Sequence, residues 1–224
     1  IETYGKTTTT FEFIISDGVI FAAVDPDRKP VDYRQQHANC WKERDRASRK
    51  WQWQPDTGVR VLKALTAEGG TARWEKKMPV APMTLAADDR MVCCYDGDHV
   101  VAFNRSSGDE LWKAKVAGLK QIKTGYAGPR LVICEDRVLF SPMGKMFAIA
   151  AKDGKILWTV NKKPRSGHCS LEDFFVLGEK VWVFGKPSSK GAYTTYGLQD
   201  GKQIQRHVNP INSFYIHQRC HPGR

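Results

Sequence analysis

Short runs of apolar and β-branched residues alternate with polar turns along most of the chain, and almost nowhere does a 3.6-residue period take over. Four paired runs stand out: "FEFIISDGVIFAAV", "MTLAADDRMVCCY", "RLVICEDRVLFSP" and "DFFVLGEKVWVFG". Each reads as strand, polar turn, strand. A second hairpin follows each pair, as in "HVVAFN" then "ELWKAKV" and "KMFAIA" then "ILWTV". Its turn carries a glycine, which takes the positive φ of a tight connection, and a two-residue turn is expected there. The glycines of these second turns are Gly70, Gly108, Gly154 and Gly201. They recur at intervals of about 40–50 residues, the length of one four-stranded propeller blade.

Around each glycine the local pattern also repeats. "AEGGTARW", "SSGDELW" and "AKDGKILW" place Trp74, Trp112 and Trp158 four residues beyond the glycine, and "LQDGKQIQ" places Gln205 there. The expectation is an all-β chain of four-stranded antiparallel blades, about four in number, over 11–77, 83–116, 130–160 and 172–208. An insertion at 25–58 interrupts the first, and 209–224 starts a further blade. Gly70, Trp74, Gly108, Trp112, Gly154, Trp158 and Gly201 are then structural, serving the outer hairpin and a wedge against the next blade.

The stretches "DDRMVCCYDGDHVVAFNRSSGDELW" and "EDRVLFSPMGKMFAIAAKDGKILW" resemble the PQQ-like, quinoprotein-type β-propeller repeat, including long bacterial proteins built from it, to which the tract "HQRCHPGR" is also similar. The resemblance covers most of the chain. It implies that the Trp residues pack between neighbouring blades. It also implies a ring of seven or eight blades, so the 224 residues are expected to be part of a larger propeller. The remaining blades, from the same polypeptide or a partner chain, are the first expected partner, because uncovered sheet edges aggregate. One fold hosts many activities, so the repeat alone does not assign a function.

Composition narrows the class. The chain is 41% hydrophobic and 11% aromatic, enough for a sizeable core. The longest apolar run, "VLFSPMGKMFAIAA", is broken by turn residues and falls short of the roughly 18–20 residues of a membrane helix, so no membrane span is expected. No basic-then-apolar leader is present, and a secretory signal is expected to have been removed or to lie outside these residues. A formal net charge of +11 favours acidic polymers or an acidic partner, against the bland alternative of a solvated basic surface. Lys and Arg are scattered through turns and do not line one helical face, so nucleic acid is not expected as a partner.

Candidate chemistry falls where the repeat is interrupted, since loops on a rigid scaffold carry function. The interruptions at 25–58, 117–129, 161–171, 185–192 and 209–224 all follow an even-numbered strand of a blade and are expected to converge on one face. The insertion "DPDRKPVDYRQQHANCWKERDRASRKWQWQPDTG" carries Trp41, Trp51 and Trp53. These fit a stacking surface for sugar rings or an apolar patch gluing the loop to the propeller. It also carries His37 and Cys40, and "SGHCS" and "IHQRCHPGR" add His168, Cys169, Cys220 and His221. Thiolate and imidazole suit zinc, but the spacing matches no zinc motif, and disulfides, for example Cys169 with Cys220, or free thiols are the favoured account of the same cysteines.

In the quinoprotein alcohol dehydrogenases a vicinal disulfide lies against the PQQ ring. Here Cys93 and Cys94 sit inside the strand "RMVCCYDG", where neighbours point to opposite faces. They read as small buried strand residues, as does Cys134. The cofactor-facing Trp, the acidic base and the Ca²⁺ ligands of those enzymes are not identifiable, so PQQ is not expected as a cofactor.

Three functions compete. The first is an exported, periplasmic or secreted propeller acting as a binding or assembly module, its ligand face made by the inter-blade loops and 25–58. The second is a lyase acting on anionic, uronate-containing polysaccharide with a His/Cys metal centre. Cations would neutralise the carboxylate and a His or Tyr would abstract the neighbouring proton, with His168, His217, Tyr215 and Arg219 as candidates. The third is a PQQ-dependent dehydrogenase.

Overall fold

Period-two alternation produces strands throughout the computed structural model, which describes residues 9–25, 59–116, 129–142, 144–162, 174–184 and 192–208. No helix occurs among them. They form four antiparallel four-stranded sheets, each in sequence order. The first contains β1 (Thr9–Ser16), β2 (Val19–Asp25), β3 (Val59–Thr66) and β4 (Ala72–Pro79). The second contains β5 (Ala86–Ala87), β6 (Met91–Tyr95), β7 (His99–Asn104) and β8 (Glu110–Lys115). The third contains β9 (Arg130–Cys134), β10 (Arg137–Ser141), β11 (Lys145–Ala150) and β12 (Ile156–Asn161). The fourth contains β13 (Phe174–Leu177), β14 (Lys180–Phe184), β15 (Ala192–Gly197) and β16 (Gln203–Val208). The chain divides into two compact units, residues 1–124 with the first two sheets and 125–224 with the last two.

Burial follows strand position. Every residue of β6 and β10 is buried, which explains why "MVCCY" and "RVLFS" lack a polar face. Outer strands such as β8 and β12 alternate instead, burying Trp112 and Trp158 between exposed neighbours. In the first unit the core lies between the two sheets: Val19, Phe21, Leu62 and Ala64 meet Val92, Cys94, Val101 and Phe103. In the second unit Leu139, Met146, Ala148 and Trp158 meet Val181, Val183 and Leu198. Burial of this kind stabilises by about 25 cal/mol per Å² of apolar surface.

The outer turns are longer than the two residues expected from sequence. β3 ends at Thr66 and β4 starts at Ala72. The N–H of Gly70 donates to the Thr66 carbonyl, and that of Thr66 to the Thr71 carbonyl. Gly108, Gly154 and Gly201 make the same bond to Asn104, Ala150 and Gly197. Each of the four glycines has φ between 65° and 75°, so the left-handed residue closes a wider loop and a bulge follows in every outer strand pair. The two-residue turns occur in the first hairpins instead, at Asp17-Gly18, Glu135-Asp136 and Gly178-Glu179. A backbone bond ties the two turns of each sheet together: Ala67 to Gly18, Arg105 to Arg90, Ala151 to Asp136 and Leu198 to Glu179.

Candidate functional site

Strand direction assigns each connection to an end of its sheet. In the first unit the connection 26–58 leaves β2 and returns at β3, 80–85 joins β4 to β5, 96–98 joins β6 to β7, and 117 onward leaves β8. All of these depart from even-numbered strands and share one end of the unit's sheets. In the second unit that end carries 142–144, 162–173 and 185–191. The convergence of the loops themselves lies outside the described residues. So do His37, Cys40, Trp41, Trp51, Trp53, His168, Cys169, Tyr215, His217, Arg219, Cys220 and His221.

The described part of this end in the first unit is polar and firmly bonded. Asp96 opens the β6–β7 turn, and its Oδ1 accepts from the N–H groups of Asp98 at 2.9 Å and His99 at 2.7 Å. Its Oδ2 meets the Lys113 ammonium at 2.9 Å, while His99 Nδ1 lies 3.5 Å from Oδ1. Burial alone would raise the Asp96 carboxyl, but the two N–H groups and Lys113 outweigh it and hold its pKa below the ordinary value. Lys113 moves the opposite way, raised mainly by its hydrogen bond to Asp96. Both groups are therefore fixed in their charged forms at neutral pH, so the pair orders the turn rather than shuttling a proton.

Nearby, the segment between the sheets is clamped. Thr84 Oγ1 donates to the Ala81 carbonyl at 2.6 Å and accepts from the Tyr95 N–H at 3.2 Å. Glu12 on β1 reaches across to accept from the N–H groups of Thr84 and Leu85, each at 3.2 Å. The Tyr95 hydroxyl donates to the Gly97 carbonyl. In the second unit the same end holds Lys162, whose ammonium donates to the Ser141 hydroxyl and whose N–H donates to the Gly144 carbonyl at 2.8 Å.

At the opposite end, side chains join sheet to sheet. The Trp74 indole N–H donates to the Arg105 carbonyl at 2.9 Å, and Trp158 does the same to Leu198 at 3.0 Å. The glycine of the accepting turn leaves room for the ring: a Cβ on Gly108 would stand 2.7 Å from Trp74, and one on Gly201 2.7 Å from Trp158. Across the strand pair the neighbours of Trp74, Trp112 and Trp158 are Ala64, Ala102 and Ala148, whereas Gln205 faces Thr195. Buried Arg105 adds a second tie, donating to Ser16 Oγ at 3.0 Å and to the carbonyls of Ser16, Asp17 and Asp88, with its guanidinium 5.4 Å from the Phe21 ring centre. In the second unit Arg137 donates to Asp136 and Gln199, and Gln199 to Glu179.

Three groups were not singled out by sequence reasoning: the Asp96–His99–Lys113 cluster, Glu12 and the sheet-joining arginines Arg105 and Arg137. The signal for the first was present in "DGDH", an Asx-turn pattern with the acceptor three residues before the last donor. Arg105 and Arg137 gave none, because their sequence positions are not repeated between the sheets. Cys93 and Cys94 are reduced and buried, and burial pushes both thiols well above the usual range. Cys134 is also reduced but only half-buried. Among the described residues no group of three or more His, Cys, Asp or Glu could hold a metal ion. Among them, too, no helix is long and apolar enough to cross a membrane.

The family model for the outer membrane protein assembly factor BamB matches residues 58–210. No curated protein matches the chain. Among solved structures, BamB from Moraxella catarrhalis is 13% identical with a TM-score of 0.49, the match covering 66% of this chain and 42% of that one. A europium-containing methanol dehydrogenase is 12% identical with a TM-score of 0.49, over 73% of this chain and 44% of that one. The quinohemoprotein alcohol dehydrogenase of Comamonas testosteroni is 12% identical with a TM-score of 0.47, over 70% and 36%. The chain thus spans less than half the length of these structures. With the BamB-type model matched over well more than half of its residues, the chain belongs to the PQQ-like β-propeller repeat family.

Proposed function

We propose that the chain is an exported propeller-repeat module that binds or assembles other proteins outside the cytoplasm, within a larger propeller whose remaining blades come from the same polypeptide or a partner. Its ligand face is the end from which 25–58 and the inter-blade loops depart. The observation that carries this reading is the family match over 58–210, whose description names a factor in outer membrane protein assembly. The described side chains are consistent with a scaffold: Asp96 and Lys113 are locked as ions, and Glu12, Thr84, Arg105 and Arg137 are spent on joining one sheet to the next. A rigid frame of this kind lends precision to loops that grip a partner.

The test is cross-linking of the chain in an exporting bacterial host, followed by peptide mapping. Cross-links from 25–58, 117–129, 161–171, 185–192 or 209–224 to a protein are expected. Release of unsaturated uronate from an anionic polysaccharide, dependent on bound zinc and lost in His168→Ala and His217→Ala, would instead establish the lyase.

A further inference from the structure

We propose that the outer edge of β12 is a strand-addition site, which takes an extended, uncharged segment of another protein as a further strand of the third sheet. β12 ends its sheet and pairs with β11 alone. Among the described residues no backbone hydrogen bond reaches its other edge. Further blades of a propeller stack on the faces of a sheet and not on its outer edge, so this edge stays open however many sheets the complete ring holds.

Register shows which backbone groups the edge offers. The Lys162 N–H donates to the Gly144 carbonyl at 2.8 Å. The pairs before it are Asn161 with Lys145, Val160 with Met146, Thr159 with Phe147 and Trp158 with Ala148. Bonded and unbonded pairs alternate along an antiparallel ladder. Trp158 and Val160 therefore spend their N–H and carbonyl groups on β11, whereas Thr159 and Asn161 direct theirs to the free edge. Leu157, the extra residue of the bulge, precedes them.

What separates β12 from the other three outer strands is charge. Trp74, Trp112, Trp158 and Gln205 pair with Ala64, Ala102, Ala148 and Thr195, each beside a bulge, and this aligns the four strands. The exposed residue that follows is Glu75 in β4, Lys113 in β8 and Arg206 in β16, but Thr159 in β12. Lys77 and Lys115 hold the next outward position in β4 and β8, where β12 has Asn161. Charged side chains beside open backbone groups keep other strands away, because pairing would strip them of water. "ILWTVN" carries no charge, and its Ile156 and Leu157 are each 45% exposed. A strand laid along this edge gains hydrogen bonds from Thr159 and Asn161 and apolar contact with Leu157. The segment that fits has free main-chain groups, β-branched side chains and no charge at its centre, as in a strand not yet paired into a sheet of its own. A strongly charged segment finds no counter-charge on β12.

The probe is a fluorescein-labelled peptide of alternating Val and Thr with a Lys at each end, titrated with the whole chain and followed by anisotropy. Saturable binding is expected, with an isotope-edited infrared spectrum that places the carbonyls of the bound peptide in a β-sheet. Thr159→Pro removes an outward N–H and leaves the bonds to β11 in place, and it should weaken binding about tenfold or more. Leu157→Lys/Thr159→Lys should do the same by putting charge on the edge, and it stands alone if circular dichroism shows that the proline variant has unfolded. The same peptide with alternate amides N-methylated should not bind. A wild type that does not bind, binding that survives the substitutions, or equal binding of the methylated peptide would each overturn the proposal. So would sedimentation showing that β12 pairs with a second copy of the chain and closes the edge to the peptide. The site is a strand edge and not the loop-bearing end, so none of these outcomes bears on the cross-links to other proteins, and the two readings fail separately.

Discussion

Trp74 lies against Gly108 so closely that a methyl on the glycine would stand 2.7 Å from ring carbon Cδ2, and its N–H reaches past the glycine to the Arg105 carbonyl. The same pair of contacts recurs between Trp158 and the turn of Gly201. The glycine therefore serves twice, once for backbone conformation and once for space. These two roles can be separated by substitution.

Gly69 has φ of 78° but a Cβ there meets no atom within 4 Å, whereas Gly108 has φ of 75° and meets Trp74. Gly69→Ala should cost only the left-handed strain, about 1–2 kcal/mol. Gly108→Ala and Gly201→Ala should add the overpacking of an indole, about 1–3 kcal/mol more. Urea unfolding of the three variants checks the order, and equal losses would show that the ring moves aside freely.

Removing the indole N–H alone isolates the second contact. Trp158→Phe keeps a ring over Gly201 but leaves the Leu198 carbonyl without its donor in a buried place. The expected loss is about 1–3 kcal/mol from the unpaired carbonyl, with some addition for the smaller ring. Trp158→Ala, which also opens a cavity, should cost about 3–5 kcal/mol.

The extent to which sequence revealed this molecule follows from what repeats. Strand alternation, the four glycine turns and the PQQ-like pattern around Trp112 and Trp158 recur, so the all-β class was legible. Turn length was not, because a left-handed glycine closes a two-residue and a four-residue loop equally well and only the bonds from Gly70 to Thr66 and from Thr66 to Thr71 separate them. Arg105 and Arg137 were missed for the opposite reason. Both tie one sheet to the next, yet one sits in an outer turn and the other begins the second strand of its sheet, so no periodicity exposes them. Asp96 was legible in principle as an Asx turn, but its partner Lys113 is brought to it only by the pairing of β7 with β8.

Arg105 offers a sharper probe of the first unit. Its planar fork donates to acceptors on β1, on the turn after it and on Asp88, a geometry that one ammonium cannot reproduce. Arg105→Lys should therefore destabilise nearly as much as Arg105→Met, by about 1.5–3 kcal/mol for each charged hydrogen bond not replaced. Thermal melts of both variants test this, and full rescue by Lys would mean that charge alone matters.

Thiol chemistry gives a prediction independent of stability. Cys93 and Cys94 are buried and reduced, and burial disfavours their thiolates, which are the reactive form. Neither should be alkylated by iodoacetamide in the native chain, and both should be once urea unfolds it. Peptide mapping separates them from the other cysteines. Rapid native labelling at Cys94 would show that the first unit opens readily.

The pH dependence of stability should bear the mark of Asp96. Its carboxyl is held below the ordinary value of 3.8 in the folded chain, against burial, by the N–H groups of Asp98 and His99 and by Lys113. A group with a depressed folded value binds fewer protons folded than unfolded across the window between the two values, so stability rises with pH there. Its contribution is whole above the unfolded value and disappears as pH falls through the folded one. Asp88, lowered by the N–H groups of Met91 and Arg90 despite its burial, acts in the same direction. Lys113 is raised, so its share is whole below the unfolded value of 10.5 and is lost as pH climbs through the folded value. Asp96→Asn removes the carboxylate from both limbs. Its deficit relative to wild type should be greatest near neutral pH, shrink below about pH 4 as Asp96 becomes protonated, and shrink again in strong alkali as Lys113 loses its charge. Chemical denaturation across that range measures the difference, and a deficit that does not change with pH would mean that the charge of Asp96 does not stabilise the turn.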